Sequence, residues 1–392
     1  MSFETFVEKM KSIQNSLLEF LEDESDGDNE YENFINLVST QQIINDEHEF
    51  KALLRLINRI VNNHYRSRNF ISKAERVLRQ FKQGLQKYFS NSEIFNIFKD
   101  NKRILLFLLE EKMMIIDEYI FPIITSSEYA EKNYCEYFQP EIKRFVAEEN
   151  IGKYGSENKS LKDNKFIEVM NKEIETNFYE KRREGLNDDY LCEQIRNNEI
   201  QEFIRFTEQR NLSLEICIKK SIFETNRLLT DKSDIKLIEY ASFYGSNDII
   251  KYIEKKGVEL TSSMWIYGIH SCNAELIRYL EDNHVSPPDN DYERILEESI
   301  KCHHNDISNY IIDNLMNEED LQNNIENNYN DNLYRYAVES HNYCFFPANM
   351  KYQNMFHFLC EFDYYTLVKL YLTEGTIDIN AKIKILIIQI AF

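Results

Sequence analysis

The sequence predicts an all-α protein, a stack of short helical hairpins preceded by an N-terminal helical region. Three observations carry that expectation. One pattern of helix, tight turn and helix occurs three times in succession: IEYASFYGSNDIIKYIEKKG (Ile238 to Gly257), IYGIHSCNAELIRYLEDN (Ile266 to Asn283) and LEESIKCHHNDISNYIIDN (Leu296 to Asn314). Apolar side chains elsewhere recur at helical spacing. Gly (9) and Pro (5) are scarce in 392 residues, which disfavours a turn-rich β fold. In the three copies Ile249, Leu276 and Ile307 are equivalent, as are Tyr252, Tyr279 and Tyr310, and Ile253, Leu280 and Ile311. The period is 27 residues from Ile249 to Leu276 and 31 from Leu276 to Ile307. Two short helices cannot bury their apolar faces alone, so neighbouring pairs must stack. Stacking also lets a chain longer than one ordinary core grow in one dimension.

Ahead of the array, Phe3, Phe6, Met10, Ile13, Leu17 and Phe20 mark an amphipathic helix. The acidic run Glu22 to Glu32 reads as a solvated linker. Phe50 to Val61 and Phe70 to Phe89 are the next two helices. They form a charge island: Lys51 to Ser90 holds ten basic residues and one acid, Glu75, in a chain of net charge −21. Two readings stand. The basic face meets nucleic acid or an anionic membrane, or it docks on the chain's own acids. No RNA-binding motif or stacking platform accompanies it. Ile94 to Lys112 carries a worn copy of the repeat, and Glu141 to Glu148 a further helix behind Pro140. Lys153 to Asn164 is polar and reads as an exposed loop. Tyr190 to Phe206 is a clearer copy, with Ile200, Phe203 and Ile204 in register. The surplus before the next copy, Leu212 to Leu229, predicts a loop or an extra short helix. The division expected is 1–90, an N-terminal helical region with the basic segment 51–90; 91–185, a helical region with cryptic repeats; and 186–392, the array with an apolar tail. After the third copy, Leu333 to Asn342 reads as a first helix whose partner is interrupted by Pro347. The last copy, Met355 to Asn380, is followed by the apolar run Ile383 to Phe392. That run is a fold-back cap, a partner-binding segment or the stump of a longer array.

The array resembles the ankyrin-repeat family, in the divergent form found in protists. The last copy carries the resemblance furthest. His357 stands at the position of the Thr-Pro-Leu-His histidine, Leu367-Val368 at the paired aliphatic site, Gly375 at the helix stop and Asp378-Ile379-Asn380 at the tail. Gly245 matches the glycine between the two helices. Thr-Pro-Leu-His is absent from the three central copies, so the hydrogen bonds those side chains make between repeats are missing there. The resemblance implies a stack of helix pairs with a concave, protein-binding side, and no catalysis.

No residue pattern for catalysis or a cofactor stands out. Cys302, His303, His304 and Asp306 are the densest ligand-type cluster, but adjacent His residues on a turn point apart, and a structural zinc site needs four converging ligands. The same slots hold Tyr244, Gly245 and Ser246 in another copy, which marks them as turn positions. Gly152-Lys153 and Lys159-Ser160 do not meet the phosphate-loop pattern. A non-enzymatic scaffold with no cofactor and no metal is therefore expected, binding protein partners rather than nucleic acid. Contact is expected at the repeated turns, through Phe243, Tyr244, Ser246, His270, Asn273, Lys301, His303 and His304. Trp265 and the tyrosine column Tyr252, Tyr279 and Tyr310 are expected in the core, and Ser263 as a helix cap. Seven scattered Cys without a CxxC pair, no signal-like N-terminus and no long apolar run point to a reducing compartment, the cytoplasm.

Overall fold

The computed structural model describes residues 1–25, 27–64, 69–148, 164–232, 234–316, 329–347 and 354–374. Gly375, Asp378 to Asn380, the apolar run from Ile383, Arg66, Arg68 and the glycine-lysine stretch at 152–160 lie outside them. Among the described residues the protein is all-α, apart from one isolated antiparallel bridge between Cys217 and Lys236. None of these helices is long and apolar enough to cross a membrane.

The chain begins with α1 (Phe3–Glu22), α2 (Asp28–Thr40) and α3 (Glu47–Asn63). The acidic run is thus a break of a few residues rather than a linker. Asp28 and Glu30 open α2, where the helix dipole favours carboxylates. The predicted helix from Phe70 divides at Phe81 into α4 (Phe70–Gln80) and α5 (Lys82–Tyr88). Next come α6 (Asn91–Phe98), started by a Ser90–Glu93 capping box, and α7 (Lys102–Glu110), capped by Asn101. Short helices α8 (Ile120–Ile124), α9 (Ser127–Glu131) and α10 (Tyr134–Tyr137) lead into α11 (Gln139–Glu148). After them stand α12 (Asn164–Asn171) and α13 (Phe178–Glu184). The repeated hairpins are α14 (Tyr190–Arg196) with α15 (Ile200–Gln209), α17 (Leu237–Phe243) with α18 (Asn247–Lys255), and α19 (Met264–His270) with α20 (Ala274–Asp282). The fourth pairs α21 (Glu293–Lys301) with α22 (Asn305–Tyr310), and α16 (Arg227–Asp231) lies in the surplus between the first two. The final helices are α23 (Tyr329–Ser340), α24 (Met355–Glu361) and α25 (Tyr365–Glu374).

Two compact units result: Met1–Leu56 with Ser308–Phe392, and Ile57–Ile307. These cut across the sequence boundaries at 90 and 185. In the first unit α1 packs on α2 and α25, and α23 and α25 both pack on α24. Phe3, Phe6, Met10, Ile13, Leu17 and Phe20 are all buried, and Phe3 meets Tyr371 edge-on at 5.2 Å. Gln14, on the same face, donates to Asn342 Oδ1 (2.8 Å) and accepts from Tyr343 N (2.7 Å). It secures the short turn at Tyr343–Phe345, the irregular region that Pro347 marked.

In the second unit α14 packs on α17, α17 on α19, and α19 on α21, while α15 packs on α18. Each first helix ends alike, with one residue in the left-handed region. Asn198 (φ 51°), Gly245 (64°), Cys272 (51°) and His303 (60°) take that position. The amide of the left-handed residue donates to the carbonyl three back: Asn198 to Ile195, Gly245 to Ser242, Cys272 to Ile269 and His303 to Ile300. The next amide reaches five back in three of the turns: Glu199 to Gln194, Ser246 to Ala241 and His304 to Ser299. This pair of bonds is the Schellman motif, which satisfies the last carbonyls of a helix. In the first unit His341 (55°) and Asp363 (57°) close α23 and α24 in the same way.

The surplus between copies folds as both predicted alternatives, an irregular stretch and then α16. Glu224 organises it: its buried carboxylate accepts from the amides of Asn187, Thr225 and Asn226. Every residue of α19 is buried. Trp265 lies inside and donates to Val285 O at 2.8 Å. Ser263 does not cap α19; its hydroxyl donates to Glu239 at 2.5 Å. Tyr252 and Tyr279 are half-buried and Tyr310 is 40% exposed, so that column is a surface seam and not core. The reason is the pitch of the second helix: Ile249, Ile250 and Ile253 already fill the inward face, and Tyr252 falls at its edge.

Replacing Gly245 tests the turn. A Cβ there would meet Asn273 Nδ2 at 2.7 Å, and the left-handed φ is itself unfavourable for an L side chain. Gly245→Ala is expected to lower stability by about 1–2 kcal/mol in urea unfolding; an unchanged midpoint would remove the turn from the account.

Candidate functional site

The turns expected to meet a partner meet each other. Phe243, Ser246, His270, His303 and His304 are buried, and Tyr244, Asn273 and Lys301 are half-buried. The cause is a set of hydrogen bonds between successive turns. Ser246 Oγ donates to Ile195 O at 2.5 Å. Asn273 Nδ2 donates to Gly245 O at 3.2 Å while its Oδ1 caps Leu276 N at 3.0 Å. His304 is hydrogen-bonded to the backbone of His270. The three side chains occupy one equivalent position, the residue after the left-handed one. Phe243 stacks on His270 with ring centroids 5.5 Å apart.

A buried polar cluster sits at the last of these turns. His270 Nε2 lies 2.6 Å from Glu298 Oε1, and Lys301 Nζ lies 3.0 and 3.2 Å from the two carboxylate oxygens. Cys302 Sγ is 3.5 Å from His270 Nδ1. His64, at the end of α3, has Nδ1 2.7 Å from Cys302 O and its ring 4.5 Å from His304. Burial works to raise the Glu298 pKa, but the hydrogen bonds and charges of His270 and Lys301 outweigh it and hold the carboxyl at about 2. Burial, together with the neighbouring His64, His270 and His303 rings, holds His304 well below its ordinary 6.5. Burial pushes the Cys302 thiol well above its ordinary value, so it is no activated nucleophile.

Three donors of metal-binding type meet here: His270, Glu298 and Cys302, with donor atoms within 4.8 Å of one another. They fit an ion poorly. A tetrahedral site needs about four ligands, and the carboxylate already accepts from both His270 and Lys301, whose ammonium would stand beside the ion. The cluster is a hydrogen-bonded charge network. Sequence reasoning grouped Cys302 with its neighbours His303, His304 and Asp306 instead; of these, Asp306 is exposed. Glu298 was not singled out, and His270 was named only as a contact residue, because the two come from different helices. One signal was present: Glu298 stands at the slot that the earlier copies fill with Tyr240 and Tyr267. Arg196 Nη1 makes the matching contact, 3.0 Å from Tyr240 Oη.

The basic segment is engaged within each unit. In the first, Lys51 and Arg55 hold Asp363 Oδ2 at 3.1 and 2.6 Å. In the second, Arg79 pairs with Glu111 (2.9 Å), Lys82 donates to Glu111 O (2.6 Å), and Glu75 meets Arg103 at 2.5 Å.

The second unit also holds a cleft of about 440 Å³ between α12, α13, the start of α14 and the stretch 219–223. Val169, Phe178 and Phe223 form its buried floor, with Phe178 edge-on to Phe223 at 5.6 Å. Lys102 braces it from behind. Its ammonium, fully buried, donates to the carbonyls of Lys132 and Ile222, each at 3.2 Å. Burial lowers its pKa to about 8, against the opposing pull of Glu224 and Glu136. A polar loop with an embedded lysine carries no periodic signal, and the sequence did not reveal this site.

Acid should unfold the protein in two stages. His304 stays neutral in the fold but protonates below about 6.5 when unfolded, so stability is complete above that pH and falls below it. The slope is up to about 1.4 kcal/mol per pH unit. Glu298 adds a loss between its ordinary 4.5 and about 2. Urea midpoints between pH 7 and 5 are expected to fall less in His304→Gln than in the parent. Glu298→Gln is expected to cost about 3–5 kcal/mol at pH 7, because Lys301 loses its counter-charge and His270 loses the charged acceptor it meets inside the fold. A scan against protein-family models found no match to this chain, and searches of curated proteins and of solved structures found none either.

Proposed function

We propose that the chain is an ankyrin-type array of helical hairpins that serves as a scaffold for protein–protein interaction, without catalysis, in the cytoplasm. The observation that supports this reading is the recurrence of one hairpin unit, α14–α15 through α21–α22, with the same left-handed turn and side-chain bonds from turn to turn. A rigid, regular stack offers side chains whose geometry is set before a partner arrives, which lowers the ordering cost of association.

Burial of the turns and of α19 supports a recognition surface elsewhere than on the first helices. The outer faces of the second helices remain open. Lys255, Lys256 and Arg278 are exposed there, and Tyr252 and Tyr279 are half-exposed beside them. Tyr252 Oη donates to Glu208 at 3.4 Å and Tyr279 Oη donates to Glu254, so each ring is pinned to the preceding helix. Pinned, partly exposed tyrosines are the kind of anchor that dominates protein interfaces.

A partner captured by the parent protein is expected to be lost from Tyr252→Ala/Tyr279→Ala/Arg278→Glu, with Kd raised at least ~100-fold and the thermal midpoint nearly unmoved. Equal capture by parent and variant would dismiss this face as the recognition surface.

A further inference from the structure

We propose that the cleft above Phe178 and Phe223 binds a small amphiphilic anion, an acyl or aromatic carboxylate. Size is the first argument. About 440 Å³ falls within the range of small-molecule sites, whereas three further cavities measure 10 to 20 Å³, room for little more than a water. Shape is the second: the floor is apolar, and its rings are fixed by packing and by the Lys102 brace on Ile222.

Charge selects the ligand's head group. Five carboxylates line the cleft, but three have other work. Asp188 accepts from Lys181 (2.9 Å) and Ser221 (2.7 Å), Asp189 caps α14 at Leu191 N (2.9 Å), and the charge of Glu136 acts on buried Lys102. Glu173 and Glu175 are exposed at the mouth. Against them stand Lys172, Lys219 and Lys220, all exposed and, among the described residues, in no ion pair. Three lysines without an ion pair thus face three carboxylates without one, Glu173, Glu175 and Asp189, and these lysines are the groups at the mouth that can take an anionic head group. The chain's net charge of −21 acts little on the lysines, because salt screens charges beyond about 8 Å at physiological ionic strength. A carboxylate at the lysines with an apolar body on the phenylalanine floor satisfies both surfaces.

Isothermal titration of the full chain with decanoate and with 2-naphthoate tests this, with decanol and 2-naphthol as neutral counterparts. Saturable binding of at least one carboxylate is expected, and the stronger of the two identifies the body as acyl or aromatic. Lys172→Glu/Lys219→Glu/Lys220→Glu should weaken the carboxylate about tenfold or more and leave the alcohol unchanged. Ile174→Trp, which fills the cleft, should abolish both. Lys219→Glu alone, at an exposed site, should weaken the carboxylate in the same direction should the triple variant unfold. No saturable carboxylate binding up to about 1 mM, or binding that none of these substitutions alters, overturns the proposal. Either result leaves the partner-capture outcome at Tyr252 and Tyr279 untouched.

Discussion

The repeated hairpins depend on a single backbone choice: one residue after each first helix enters the left-handed region. That choice turns the chain back on itself and satisfies the last helical carbonyls. It also aims the following side chain at the turn of the preceding copy. Ser246, Asn273 and His304 occupy that position, and each is bonded to the backbone of the copy before it. The residue type varies while the geometry holds, because an oxygen, an amide or an imidazole can each supply a hydrogen bond at the same place. The central copies lack Thr-Pro-Leu-His, and these bonds link successive copies in its absence. Only Gly245 enters the left-handed region without a side-chain cost; asparagine, cysteine and histidine are held there by the packing around them.

The same stacking converts a sequence of polar residues into a buried network. Glu298 stands where Tyr240 and Tyr267 stand in other copies. A carboxylate in that slot is tolerable only with partners alongside; Lys301 provides a cation and His270 a hydrogen bond. His304 is then enclosed with three other histidines nearby, which disfavours its charged form. The turns carry the cohesion of the stack, whereas the outer edges of the second helices and the mouth of the cleft beside α12 keep side chains exposed.

Helical periodicity made most of the first helix readable: Phe3 through Phe20 are buried as their spacing requires. It also located the hairpins and the surplus segment between two of them. It misjudged the tyrosine column, because a residue at the edge of an apolar stripe has the same spacing as one at its centre. It took Phe70 to Phe89 as one helix, since a break at Phe81 alters φ and ψ but not the apolar pattern. The burial of the turn residues was hidden for a related reason. A polar turn reads as solvent-facing unless the neighbouring turn that covers it is known.

What the sequence by itself determined is local: helices, their amphipathic faces and the recurrence of one helix-turn-helix unit. These follow from short-range sterics and from the apolar period, both written in consecutive residues. Only the tertiary structure decided that His270, Glu298, Lys301 and Cys302 share one buried site, and that Phe178 and Phe223 floor a cleft braced by Lys102. The pairings of His270 with Glu298, Phe178 with Phe223 and Lys102 with Ile222 join residues 28 to 120 positions apart, and no local rule of propensity or spacing constrains which distant side chains come together.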